Sequence, residues 1–444
     1  MSFKQVRSFK TRLLFTSLLA AAIACSDDPV PQRADASSFS GTIISDWIDL
    51  QLVLGKNAPG YTPPVVSRAF GYAGLTLYES VVHGYPANQS LVGQLSGLNF
   101  LPDPDPEKEY HWELCANAAA AQITRKMFEN APAPMLPLID SLEAVYVQHN
   151  SHVPHDVIVR SILYGQAIAD SIYLYSKTDG GHKAFNRNFP ASYVPPAGPG
   201  LWYPTNSQLA MLPSWGNNRT FIKDLRNKVS VTGPPTFSTD PASDFYAEGL
   251  EVYNTGVSLT AEQTTIAYYW ADEGFYTFSP PGHSLCIYSQ LSREEDLNLV
   301  KAAEGFAKIG MAVSDAFVYC WYLKYLHNVL RPSQYIQPNI DPLWTPLIVN
   351  PPFPDYTSGH SSQSGAACSV LENIFGESYA FTDKTHLRLN LGMQPRSFNS
   401  FLEMAQEAAE SRLYGGIHYR SANDHGLMSG VVIGDEVTAL SFKK

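Results

Sequence analysis

Three short stretches in the last third of the chain carry residue types that can grip a compact anion. The first runs from Lys324 to Pro332 and includes His327 and Arg331. The second is Thr357, Ser358, Gly359 and His360. The third runs from Ser411 and Arg412 through Gly415 and Gly416 to His418. Lys324, Arg331 and Arg412 supply positive charge, and His360 and His418 supply imidazoles. A guanidinium offers forked donors that fit two oxygens of one anion, while lysine acts as a mobile point charge. The set suits a tetrahedral oxyanion.

Lys324 and Arg331 are seven residues apart. At about 3.6 residues per turn, that spacing returns to nearly the same helix face, so both cations can point into one pocket. Pro332 disfavours helical geometry at Arg331 and puts the arginine at a helix end. Two solvated surface cations would show the same spacing. Ser358 and Gly359 fall between Pro351, Pro352 and Pro354, which block regular structure, and a helical run from Ser361 to Phe375. They therefore sit at a helix N-terminus, where free N–H groups and the helix dipole favour an anion. An ordinary N-capping serine gives the same pattern. His360 is placed beside that anion and could move a proton. Arg412 and His418 are six apart, which sets them on different faces of a continuous helix. The double glycine lets the chain turn and removes that objection. His418 could then attack phosphorus or ligate a metal through one nitrogen, the other being held by an acceptor. A histidine satisfied within the core is the alternative.

These stretches need a scaffold. Val66, Phe70, Ala73, Leu77 and Val81 make one apolar stripe of helical period, and Trp112–Phe128 is rich in alanine. Leu136–Tyr146, Val157–Tyr175, Leu297–Val329 and Phe401–Tyr414 continue the theme. No alternation typical of strands is sustained, so the expected fold is all-α, a helical bundle. The stretch Asn186–Thr236 is rich in proline, glycine, asparagine and aromatics. It reads as a long ordered loop lying near the pocket rim.

The chain has 444 residues, 45% of them hydrophobic and 16% charged, enough for a sizeable core. A net charge of −11 argues against a nucleic-acid surface and leaves local cations to draw in an anionic substrate. Lys4, Arg7, Lys10 and Arg12 precede an apolar run from Leu13 to Ala24, which reads as a signal peptide over residues 1–24. Residues 22–25 (Ala22 to Cys25) are similar to a bacterial lipobox, implying a lipid anchor at Cys25 and an outer-membrane, cell-surface or periplasmic location; plain secretion is the alternative. Residues 25–40 then read as a tether and 41–444 as one helical domain, its site mainly in 315–424. Cys115, Cys286, Cys320 and Cys368 show no C-x2-C spacing, so a cysteine-bound structural zinc is not expected. Disulfides and buried thiols are both open.

In order and chemistry, the three stretches resemble the signature of the type 2 acid phosphatase and vanadium-dependent haloperoxidase superfamily: K-x6-R-P, P-S-G-H and S-R-x5-H. Thr357 stands where that signature has proline. Ala422 stands four after His418, where many members have an aspartate orienting the histidine; Asn423 and Asp424 are the nearby substitutes. Asp315, Trp321 and Tyr325 look like the haloperoxidase branch, as do residues 279–283 (Ser279 to His283). Arg68-Ala69 with the helix toward Tyr78, and Ala167–Asp170 leading to Thr178, Asp179 and Gly180, are similar too. Among its subgroups, these residues look most like the bacterial, marine flavobacterial type that includes vanadium iodoperoxidases.

The resemblance implies one vanadate per chain. His418 would be its ligand, with Lys324, Arg331, Ser358, Gly359 and Arg412 holding its oxygens. His360, Lys324 and His418 would be catalytic. The partners implied are hydrogen peroxide and a halide, iodide first and bromide next. The product would be a hypohalous acid. Trp321 and His327, three residues either side of Lys324, are expected to shape the halide side with Phe353. The rival is a phosphomonoesterase or lipid phosphatase, with His418 as nucleophile and His360 protonating the leaving group. The length of the N-terminal portion, Trp321 and the missing aspartate at 422 favour the peroxidase.

Overall fold

The computed structural model describes residues 35–205 and 208–444. Helix α1 spans Thr42–Asn57 and α2 spans Pro63–Val81, starting on two prolines that pre-set the first turn. Then come α3 (Trp112–Met127), α4 (Pro137–His149) and α5 (His155–Ser176). Short α6 (Leu225–Lys228) sits in the long loop and precedes α7 (Asp244–Val257), α8 (Ala261–Tyr269) and α9 (Ser279–Glu294). The central helix α10 runs Leu299–His327; α11 is Pro332–Asn339 and α12 is Gly359–Phe375. Last come α13 (Thr385–Arg388), α14 (Phe401–Tyr414) and α15 (Arg420–Thr438). The only strands among the described residues, β1 (Phe381–Asp383) and β2 (Arg396–Phe398), pair antiparallel. The fold is all-α, as the helical periodicities require.

Helix α10 is the axis of the core. It is capped by the Asn298 side chain, which accepts from the Lys301 N–H at 3.0 Å, and is buried along most of its length. It packs along α2, while α12 packs along α15. A Cβ at Gly310 of α10 would lie 2.7 Å from the Phe70 carbonyl oxygen of α2, so only glycine permits that approach. Asp315, also on α10, accepts from the N–H groups of Phe221 and Ile222 at 2.8 and 2.9 Å. That ties the 186–236 loop to the core. Burial raises its carboxyl to about 7, against the pull of those two donors. Arg68 of α2 meets Asp179 at 2.6 Å, joining two stretches that the sequence keeps far apart.

Two expectations change and one open choice is resolved. The tether does not extend to residue 40: Asp35 caps a 3-10 turn at Ala36–Ser38, Ala36 is buried, and Ser40 pairs with Asn298. The export signal, Cys25 and the earlier part of the tether lie outside the described residues. Lys324 and Arg331 do not share a helix face, because α10 ends at His327. Asn328 adopts a left-handed conformation (φ 48°), and Arg331 becomes the residue before α11. All four described cysteines are buried free thiols. No helix among the described residues is long and apolar enough to cross a membrane.

Candidate active site

The ends of α10, α12 and α14 converge on a cavity of about 200 Å³. Its walls include Met211, Asp272, Phe317, Trp321, Phe353, Gly359, His360, Arg412 and His418. Lys324, on the last turn of α10, lies against two rings of those walls, its Nζ 4.9 Å from the Phe353 centroid and 5.8 Å from that of Trp321. Its Nζ donates to the carbonyls of Pro354 and Asp355 at 2.8 and 2.9 Å, leaving one of three donors. Arg331 donates from Nε to Phe353 O at 2.9 Å and from Nη1 to Ile417 O at 2.7 Å, and Nη1 also lies 3.2 Å from His418 Nε2. Arg412 is held by Ser411 Oγ at 2.9 Å and by Ala267 O at 3.1 Å. Gly416 (φ 73°) turns the chain after α14 and carries His418 back beside Arg331.

Lys324, Arg331 and Arg412 are all essentially inaccessible to solvent. Burial pulls Lys324 down to about 7 and each arginine down to about 10. Three cations this close, out of water, call for an anion. Two buried nitrogens, Arg331 Nη2 and His360 Nε2, have no partner among the described residues. Ser358 caps α12 through its hydroxyl, which accepts from Ser361 N–H at 3.4 Å, while its own N–H is donated to Ala422 O at 2.9 Å. The hydroxyl proton and the Gly359 N–H therefore remain to meet a ligand. The donor set fits a tetrahedral oxyanion such as vanadate.

Both imidazoles are neutral. Burial is the main cause at His360 and His418, with Arg412 adding to it at the first and Arg331 at the second; both fall well below the usual histidine value. His418 Nδ1 lies 2.9 Å from Asp355 Oδ1, a close but bent contact. That carboxyl, raised to about 7 by burial, takes the place of the aspartate expected at 422. It favours the tautomer with the proton on Nδ1 and the lone pair on Nε2. Sequence reasoning missed Asp355. The signal was an acid three residues before Ser358 in a proline-rich run, where neither helix nor strand would otherwise fix it. With Asp355 present, Ala422 no longer separates the peroxidase from the phosphatase.

Trp321 and Phe353 line the cavity, their rings 4.9 Å apart. Trp321 Nε1 reaches Met211 O at 3.3 Å, and the Tyr325 hydroxyl donates to the same oxygen at 2.6 Å, so the long loop does come to the rim. His327 does not line the cavity. It is half-buried against Tyr356, ring centroids 5.2 Å apart. The reason is geometric: six residues at about 100° each put His327 roughly 120° around the helix from Trp321. Only one of the two can face the site.

Residues 337–443 match the VCPO second helical-bundle domain. Among solved structures, a bacterial vanadium-dependent iodoperoxidase superposes with a TM-score of 0.78 at 33% identity, covering 90% of this chain and 96% of that one. The chain belongs to the vanadium haloperoxidase family. Bacterial vanadium-dependent chloroperoxidases share the haloperoxidase fold at 12% and 14% identity, with TM-scores of 0.64 and 0.60 and coverage of 87% and 89% of this chain and 96% and 92% of theirs. A comparison with curated proteins finds no match. The haloperoxidase fold thus supplies the frame on which these side chains converge.

Proposed function

We propose that this protein oxidises halide with hydrogen peroxide in a vanadate-dependent reaction, with iodide preferred. The observation that carries the reading is the neutral, oriented His418 facing three buried cations beside an aromatic wall. His418 would hold vanadate through Nε2. Lys324, Arg331, Arg412, the Ser358 hydroxyl and the Gly359 N–H would bind its oxygens. When bound, vanadate supplies Lewis-acid activation of peroxide without changing its own oxidation state.

The remaining steps belong to the chain. His360 Nε2, neutral and unpartnered, accepts a proton from hydrogen peroxide and returns it to the oxygen released as water. Lys324 keeps one donor beyond its two carbonyl partners and would offer it to the bound oxygens. The halide enters against Trp321 and Phe353, where an apolar surface strips its water. In balance, halide, peroxide and one proton give hypohalous acid and water. Iodide is favoured by the 33% identity to an iodoperoxidase and by an aromatic wall suited to a large, weakly hydrated ion.

The test is to assay purified protein for iodide and bromide oxidation with vanadate and peroxide, beside phosphomonoester hydrolysis without vanadate. Iodide turnover dependent on vanadate is expected. Phosphatase turnover with no halide oxidation would overturn the reading. The basic and apolar N-terminal residues support export as part of the same proposal. Mass spectrometry of the mature N-terminus in a bacterial host checks it, and an unprocessed Met1 refutes it.

A further inference from the structure

Behind one wall of the cavity, two histidines and two aspartates meet with little solvent access, and the halide reaction uses none of them. Asp272 lies between α8 and α9, His283 on α9, Asp383 at the end of β1 and His386 on α13. His283 Nδ1 is 3.0 and 3.1 Å from the two Asp272 oxygens, and its Nε2 is 2.7 Å from Asp383 Oδ2. Asp383 is further fixed by the Tyr269 hydroxyl at 2.7 Å and the Thr385 N–H at 2.8 Å. His386 Nε2 is 2.8 Å from the Tyr269 carbonyl oxygen. Its Nδ1 is buried with no partner among the described residues.

We propose that Asp272, His283 and His386 form a binding site for one divalent transition cation of the zinc class. One ligand atom from each of these residues lies within 4.8 Å of the others. The 3.0 Å from His283 Nδ1 to the Asp272 carboxylate is a hydrogen-bond distance and opens to about 3.4 Å around a tetrahedral ion. The outer partners suit the same role. A carbonyl at His386 Nε2 keeps the proton there and the lone pair on Nδ1, and Asp383 holds the Nε2 proton of His283. Metal-binding histidines nearly always have such a partner. The unpartnered Nδ1 of His386 is the second observation: a lone pair held dry with no donor to meet it. Two imidazoles and one carboxylate are a ligand set of zinc and related ions. In the metal-free protein His283 holds a proton between two carboxylates, and loading displaces it from Nδ1 to solvent. Asp272 also lines the oxyanion cavity. The cation would therefore fix the wall next to Arg412.

The site stands on its own residues, and metal content is read without turnover, so its failure and that of the haloperoxidase reading are separable. Full-length protein is stripped with a chelator, dialysed against zinc chloride, desalted and analysed for metal. About one zinc per chain is expected, with affinity reduced more than about ten-fold in His386→Ala. Crystals of the zinc-loaded wild type should show an anomalous difference peak between the three side chains, which decides the matter if the variant fails to fold. No anomalous peak there, or equal zinc retention by wild type and folded His386→Ala, overturns the proposal.

Discussion

Replacing Asp355 with asparagine tests the electrostatic design of the site. The carboxyl is buried, 2.9 Å from His418 Nδ1, and its backbone carbonyl also accepts from Lys324. Asparagine keeps the volume and leaves that carbonyl in place. It replaces the carboxyl that faces His418 Nδ1 with a neutral amide. The carboxyl faces the ring without a well-aligned hydrogen bond, so its worth is that of an outer partner, and about 1.4 kcal/mol is ten-fold in affinity. The vanadate dissociation constant should therefore rise about ten- to a hundred-fold, the range seen when an outer partner of a metal-bound histidine is lost. Halide turnover at saturating vanadate should change less, since the ligand itself remains. Calorimetric titration of vanadate-free protein, together with activity against vanadate concentration, measures both. A folded Asp355→Asn variant with a dissociation constant within about three-fold of wild type would show that something else orients His418.

Lys324 is pulled down to about 7 by burial, so without a bound anion it loses its proton near neutrality. Vanadate affinity should fall as pH rises above about 7, and Lys324→Arg, which keeps its charge, should move that limb upward; identical limbs in both proteins refute this. Asp315 is raised to about 7 by burial, so its share of stability is present below its unfolded value of about 4 and is lost as pH rises to about 7. The stability difference from Asp315→Asn should therefore shift toward the variant between those pH values in urea unfolding, and a constant difference contradicts it. Trp321→Ala should raise the KM for iodide several-fold while vanadate affinity holds within about three-fold, because the ring lines the cavity without offering it a polar donor. An unchanged KM removes Trp321 from the halide path.

The sequence by itself determined the inventory. Helical periodicity marked most of the scaffold, prolines and glycines marked where it breaks, and three stretches named the cations and imidazoles. Those properties are local: a period of about 3.6, a capping serine or a double glycine acts within a few residues of itself. What tertiary structure alone decided was which neighbour each side chain meets. Lys324 and Arg331 come together across the left-handed break at Asn328, not along a shared helix face. Trp321 faces the cavity and His327 faces Tyr356, although both stand three residues from Lys324. Asp355 reaches His418 from another segment, and Asp272, His283 and His386 meet from three. Periodicity fixes a residue's angle about its own helix axis; the element lying across that axis is set by how the whole core packs.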